Sequence, residues 1–473
     1  MKKFTKILLI GCLLVMVSCN NWLDVDPKAQ VKDKDLFASE MGFKEALSGV
    51  YSLMTKEGLY GKELTFGWLG VLGQEWTSVP YNYEDDQKYD FENAASEVRI
   101  DSVWTGLYNA IANANKLLKE LEGKENLFSG DNYSIIKGEV LALRAYLHFD
   151  LLRIFGASCA VGMERIAIPY VTEYAPTIFP QEKVGDFVGK VLKDLQDAAK
   201  CLENDPILTG RTVSEIDDNG YLMNRQVHLN YYAVKGLMAR VYLYKGDYAN
   251  AEVCAKEVIG SGCFEWVKQE NLTNESVADL TFSTEHLFAL NIVTLGNIVD
   301  KYLDGGNNSF ALEESRLSEY YGSSYDYRYL YLFKTGVGMS NTLRYLKKYD
   351  QLESVSWAQS YRNKLPLICL PDMYYILAEC RYHSSGDVLE PLNEVCRHRG
   401  VADLSEADLS AFETLLLAEY RKEVIGGGQL FFQYKRLNRS VVPGTDVDLA
   451  GEGRYVIPMP KEELENPGWV SNQ

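Results

Sequence analysis

The sequence predicts a mainly α-helical fold, with helical pairs stacked in a superhelix and loop-rich, short β segments packed on one side. Three observations predict it. Apolar residues recur at helical spacing far more often than they alternate as in strands. Two segments have a helix-turn-helix outline, the first with small residues at the facing positions, and Gly, Asn and Tyr crowd the stretch between about residues 264 and 365. With 473 residues and 47% hydrophobic content the chain can bury a large core. No Pro-, Ser- or Gly-rich linker divides it, so one unit is expected from residue 19 to 473.

At the N terminus, Lys2, Lys3 and Lys6 precede an apolar stretch from Ile7 to Val17, followed by Ser18 and Cys19. That is the pattern of a secretory signal peptide over residues 1–18. The stretch is shorter than the roughly 20 apolar residues of a spanning helix. The string LLVMVSC resembles a bacterial lipobox, which implies cleavage before Cys19 and lipidation of its sulfur. Cys19 is therefore read as a lipid anchor.

Further along, Phe43, Ala46, Leu47, Val50, Tyr51 and Met54 share one helical face, with Ser39 placed as N-cap. The same spacing recurs in Trp104, Leu107, Tyr108, Ile111 and Leu118, in Ile136, Val140, Leu143, Leu147, Leu151 and Ile154, and in Val188, Val191, Leu192, Leu195 and Leu202. From Tyr231 to Gly262 the pattern predicts a helix ending near Gly246, a turn through Asp247 and a second helix. Ala239 on the first helix, with Ala251 and Ala255 on the second, permits close approach, a tetratricopeptide-like outline that returns from Tyr374 to Arg399 with Gly386 at the turn. A single pair leaves apolar faces open, so several must stack.

Composition and motifs exclude several function classes. A formal charge of −18 argues against nucleic acid as a partner. Seven cysteines follow Cys19, without CxxC spacing, and buried thiols are favoured over a bridge such as Cys254 to Cys263. The five histidines, at 148, 228, 286, 383 and 398, lack metal-ligand spacing, and His148 is read as a packed helix residue. TDVDLAGEG, Thr445 to Gly453, departs from calcium-loop spacing. Glu84, Asp85 and Asp86 invite an acid and base assignment, but the chain has 66 acidic residues and such clusters carry little. No nucleophile elbow, P-loop or dinucleotide fingerprint occurs. No enzyme, metal or cofactor is expected.

Several strings, in order along the chain, resemble the SusD/RagB family of outer-membrane nutrient-binding lipoproteins. They include WLDVDPKAQV after Cys19, EALSGVYSLM from Glu45, WTGLYNAIANANKLL from Trp104, and GEVLALRAYLHFDLLRIFG from Gly138. LPDMYYILAECRYHSSG, LNEVCRHRGV, LLAEYRKEV, YKRLN and YVIPMPKEELENPGW follow. IGGGQLFFQYKRL departs from the pattern of relatives that carry an acidic residue and an arginine there. The resemblance implies a lipid-anchored protein on the outer face of the outer membrane. It would bind oligosaccharide and pass it to a SusC-like TonB-dependent transporter. A peptide-binding, RagB-like role is the alternative, and a surface glycan hydrolase a remote third. Within the LRAY string, Leu143 and Ala145 are read as packing residues and Arg144 as the partner of a buried carboxylate or of helix-end carbonyls.

Sugar rings stack their C–H faces on aromatic rings and need amide, carboxylate or guanidinium partners for their hydroxyls. Two stretches offer that mixture. Trp68 to Phe91 supplies Trp76, Tyr81, Asn82, Tyr83 and Asp85 as an exposed loop, the preferred site. Ser318 to Phe333 supplies Tyr320, Tyr321, Tyr325, Asp326 and Arg328. In the second stretch Tyr325, Tyr327, Tyr329 and Tyr331 alternate, which also predicts one face of a strand with no ligand at all.

Overall fold

The structure is a computed structural model that describes residues 34–274, 277–306, 308–336, 342–351 and 361–472. The expected signal peptide and the expected lipid anchor at Cys19 lie outside the described residues. Helix accounts for 54% and strand for 6%, against about a third and a fifth in an average globular domain, so the class is mainly α.

The first helices form where the periodicity places them. Helix α1, Glu40–Met54, starts at Ser39, whose side chain accepts from Gly42 N–H at 3.3 Å. Helix α2, Trp68–Leu72, is short and wholly buried. Helix α3, Ala94–Leu121, is capped by Asn93, which accepts from Ser96 N–H at 3.0 Å. Helix α4, Asn132–Phe155, lies between α3 and helix α5, Val184–Cys201, and every residue from Gly138 to Phe155 on it is buried. A helix buried on all sides lies at the centre of the fold. Arg144 on α4 meets the carboxylate of Asp194 with two bonds of 2.7 Å and donates to Asn115 Oδ1 at 3.0 Å, the first of the two roles its sequence context predicts. His148 also packs as expected: its ring stacks on Tyr170 at 3.9 Å, Nδ1 donates to Arg144 O, and Nε2 accepts from Val171 N–H, both at 2.9 Å.

The repeat-like outlines are helical pairs. Helix α6, Tyr231–Lys245, ends at Gly246 with φ +81°, a left-handed turn that glycine adopts without a Cβ penalty, and helix α7, Tyr248–Ile259, packs back on it. Farther along, helix α8 is Leu295–Tyr302, α9 Glu314–Tyr321 and α10 Tyr327–Tyr331. The second pair consists of α11, Leu370–Ser384, and α12, Leu389–His398, and α7 packs against α11 so that the pairs stack. Helices α13, Phe412–Val424, and α14, Leu430–Arg436, complete the set used below.

The irregular region carries the strands. Strand β1, His286–Asn291, pairs antiparallel with β5, Lys364–Cys369. Strands β2, Leu312–Glu313, β3, Phe333–Thr335, and β4, Leu343–Leu346, form an antiparallel sheet in the order β2-β4-β3. Buried apolar side chains from Phe37 to Met459 form a contiguous core.

One local expectation is corrected. The alternating tyrosines 325 to 331 do not line a strand. Asp326 caps α10 by accepting from Arg328 N–H at 2.9 Å, and the Arg328 side chain is drawn into a buried ion network. Capping and long-range charge pairing override the strand preference of tyrosine here. The thiols of Cys254 and Cys263 are free, the first buried and the second exposed.

Candidate functional site

The first nominated stretch, expected as a loop, leaves α2 as a loop and winds into a 3-10 turn over Tyr81–Tyr83 and a short helical turn over Glu84–Gln87, all on a rigid base. Trp76 is 2% exposed, and its Nε1 donates to Phe66 O at 2.7 Å. Tyr83 is equally buried, and its hydroxyl donates to Glu63 at 2.8 Å. Both rings pack on Phe310, with centroids at 6.0 and 5.1 Å. The Arg99 guanidinium lies 3.9 Å from the Tyr83 ring centroid, donates to Asn82 O at 3.1 Å and pairs with the buried Asp86 carboxylate. Asp86 also accepts from Trp68 Nε1 at 2.9 Å. Burial raises the Asp86 carboxyl to about 6, against the opposing pull of Arg99. Its bonds to Trp68 and Arg99 make this carboxylate part of the frame.

What projects from this frame is small. Tyr81 is 87% exposed, and Asn82 and Asp85 are also exposed. The expected platform is therefore corrected at Trp76 and Tyr83: they are the base of the loop, because Phe310 and Glu63 hold them in the core. Only Tyr81, Asn82 and Asp85 of the first five candidates are presented to solvent.

The second stretch splits in the same way. Tyr321 is buried, with its hydroxyl donating to Lys422 O at 3.0 Å. Asp326 and Arg328 are buried and paired at 2.7 Å, and Arg328 reaches Glu423 at 2.9 Å. These three are corrected from candidate ligand contacts to internal structure. Tyr325 is 76% exposed, and Tyr320 is half-buried beneath the Arg421 guanidinium, 4.1 Å from its ring centroid.

The two stretches meet through Phe310 to Glu313. Ser78 and Ala311 exchange backbone hydrogen bonds of 3.0 Å, and Glu313 N–H donates to Thr77 Oγ1 at 2.7 Å. The helix that carries Tyr320 thus begins against the loop that carries Tyr81. A second brace comes from Glu75, whose buried carboxyl accepts from Gly426 N–H at 2.7 Å and is pushed by burial to about 8. The glycine-rich run that departs from the family pattern is therefore the seat of this loop. Gly428, at φ +68°, brings its backbone so close to Leu64 that a Cβ would lie 2.6 Å from the Leu64 carbonyl oxygen.

Sequence reasoning missed Arg99, Glu63, Glu75 and Phe310. Phe310 and Glu75 carry no local signal, whereas Arg99 sits at a buried position of α3 where an unpaired charge is costly, and so implies a carboxylate partner. Among the described residues no cluster of metal-ligating side chains occurs, and no helix is long and apolar enough to cross a membrane.

Comparison with known proteins agrees with this fold. The family model SusD-like_3, described as "Starch-binding associating with outer membrane", matches residues 21–243. SusD-like protein P38 of Formosa agariphila is 24% identical over 269 residues, covering 56% of this chain and 47% of the relative. SusD-like protein P25 of the same organism is 26% identical over 149 residues, covering 29% of this chain and 28% of the relative. The chain thus spans about half or less of the length of the curated relatives it matches. A solved SusD superfamily protein from Bacteroides thetaiotaomicron superposes with a TM-score of 0.73 at 21% identity, covering 92% of this chain and 100% of that one. A SusD-like carbohydrate binding protein from Bacteroides vulgatus gives 0.66 at 15% identity, covering 85% and 84%. At these identities the structural likeness establishes the fold alone.

Proposed function

Because this chain is a SusD-like protein, by sequence over residues 21–243 and by fold over 92% of its length, we propose that it captures oligosaccharide at the outer membrane and delivers it to a SusC-like TonB-dependent transporter. The observation that carries this reading is the match to a family described as starch-binding and associating with the outer membrane. The geometry supports it in a specific way. Tyr81 offers an exposed ring face and Asn82 an exposed amide beside it. Both stand on a loop whose interior is fixed by Trp76, Tyr83 and Arg99, so little ordering entropy is lost when a ligand docks. A tyrosine face and a neighbouring amide recognise a sugar ring and its hydroxyls without chemistry on it.

Lipidation of Cys19 would hold the protein at the outer face of the membrane, with the acidic surface toward water. Residues 19–473 act as one unit, with the loops presented toward the transporter. Isothermal calorimetry of a soluble form lacking residues 1–19, against neutral oligosaccharides and mixed short peptides, tests the reading. Saturable sugar binding that falls in Tyr81→Ala supports it. Saturable binding of peptides alone would replace it with a peptide receptor, and turnover of a bound oligosaccharide would replace it with a hydrolase.

A further inference from the structure

A second groove, of about 400 Å³, lies away from the loops described above, where the C-terminal segment crosses α3. Its size falls in the range of small-ligand pockets, roughly 300–1,000 Å³. Trp104 forms the floor at 4% exposure, and Tyr108, Phe179 and Trp469 are half-buried walls. The Trp104 and Tyr108 rings are 4.9 Å apart at 58°, and Trp104 and Trp469 are 6.5 Å apart at 67°, so the aromatic surfaces meet as a corner.

The polar edges of these rings are all engaged internally. Trp104 Nε1 donates to Glu463 Oε1 at 3.0 Å, the Tyr108 hydroxyl to Pro169 O at 2.9 Å, and Trp469 Nε1 to Phe179 O at 3.2 Å. With the edges fixed, the faces are what the groove offers. Alongside the Trp104 and Tyr108 stripe runs a second stripe on the same helix, Thr105 and Asn109, also four residues apart and both exposed. Ring faces beside a hydroxyl and an amide form the same combination that Tyr81 and Asn82 present, here in a concave setting.

Charge narrows the ligand. Glu463 borders the groove, and on the other side of the turn Lys461–Glu465 lies a wider hollow lined by Asp90, Glu92, Glu97, Asp101 and Glu462, with Lys461 and Arg454 as its cations. Lys461 is paired with Glu97 and Arg454 with Glu452. Burial raises the Asp101 carboxyl, and the carboxylates of Glu462 and Glu97 add to the rise. An anionic ligand would be repelled from this side of the molecule.

We infer that the groove of Trp104, Tyr108, Phe179 and Trp469 is a second saccharide subsite, selective for uncharged sugar units over uronic or sulfated ones. The ligand class rests on the glycan-binding reading above; the position and the charge selectivity do not. The apolar stripe of α3 that the sequence assigns to packing thereby has a second use, because Tyr108 is only partly covered.

The test uses the protein lacking residues 1–19 and calorimetric titration with neutral oligosaccharides and with oligogalacturonate as the anionic probe. Trp469→Ala should raise the dissociation constant for the neutral ligand about five- to tenfold, the scale of one lost aromatic face. Thr105→Ala/Asn109→Ala, whose exposed side chains do not hold the fold, should weaken it about threefold or more at an unchanged melting temperature. Unchanged affinity in both variants, with weakening in Tyr81→Ala, overturns the groove and leaves the parent reading intact. Tighter binding of oligogalacturonate than of neutral sugar overturns the selectivity. Loss of a copurifying outer-membrane protein at unchanged sugar affinity makes the groove a protein contact and overturns the subsite. Absence of any saccharide binding by the unaltered protein overturns the parent reading.

Discussion

Replacing Glu75 by Gln should stabilise this protein, and the gain should grow with pH. Glu75 is fully buried, its Oε2 accepts from Gly426 N–H at 2.7 Å, and its Oε1 has no partner among the described residues. Burial raises the carboxyl from 4.5 to about 8. A raised carboxyl contributes stability that is fully present below about pH 4.5 and is lost as pH rises through about 8, because the unfolded chain ionises first. Holding this carboxyl in the fold therefore costs about 3 kcal/mol at pH 7, where it stays protonated, and about 5 kcal/mol at pH 9, where it ionises while buried. Glutamine has the same shape, keeps an oxygen for Gly426 and does not ionise. Its amide N–H group takes the unpartnered position, which returns about 1–2 kcal/mol of the gain. The expected net is about 1–2 kcal/mol at pH 7 and about 3–4 kcal/mol at pH 9, read as the difference in urea unfolding free energy between Glu75→Gln and the unaltered protein at pH 5, 7 and 9. A difference that stays flat with pH, or a variant that is less stable at pH 9, would refute the reasoning.

Other outcomes follow from the same geometry. Burial holds the His148 imidazole down at about 3, so the stability from its neutral packing is present above about pH 6.5 and lost as pH falls toward 3, about 2 kcal/mol by pH 5; an NMR titration of its ring protons should show no midpoint near 6.5. Gly428→Ala places a Cβ against the Leu64 carbonyl at φ +68°, and should cost at least about 2 kcal/mol by urea unfolding, whereas Gly246→Ala, with open space around it, should cost only about 1 kcal/mol. Arg399 bonds both Glu285 and Glu423, and Arg328 shares Glu423, so either arginine changed to Ala should lose about 3–5 kcal/mol and the double variant less than the sum; additive losses in a double-mutant cycle would contradict a shared network. Tyr81→Ala should leave the melting temperature within a degree or so, since the side chain is 87% exposed.

The helices were legible in the sequence wherever one face is apolar and the other wet, as in α1 and α5, because spacing alone reports that asymmetry. The turn at Gly246 was legible for the same local reason, a left-handed residue between two periodic runs. Arg144 was readable as a structural residue by type, since a charge on a buried helix demands a partner, although Asp194 could not be named from the chain. The site was less legible. A tryptophan or tyrosine in a polar, loop-like string looks exposed until a distant segment covers it. Phe310 does that to Trp76 and Tyr83, and Glu423 does it to Arg328. The corner of Trp104 and Trp469 joins positions far apart in the chain, and no short window of sequence contains both.

Calorimetric titration of the protein lacking residues 1–19 with neutral oligosaccharides, beside its Tyr81→Ala/Asn82→Ala variant, tests glycan capture most directly. Saturable binding that weakens at least about fivefold in the variant, without a change in melting temperature, is the result predicted here. Absence of binding to any saccharide, with saturable binding of peptides, would contradict it.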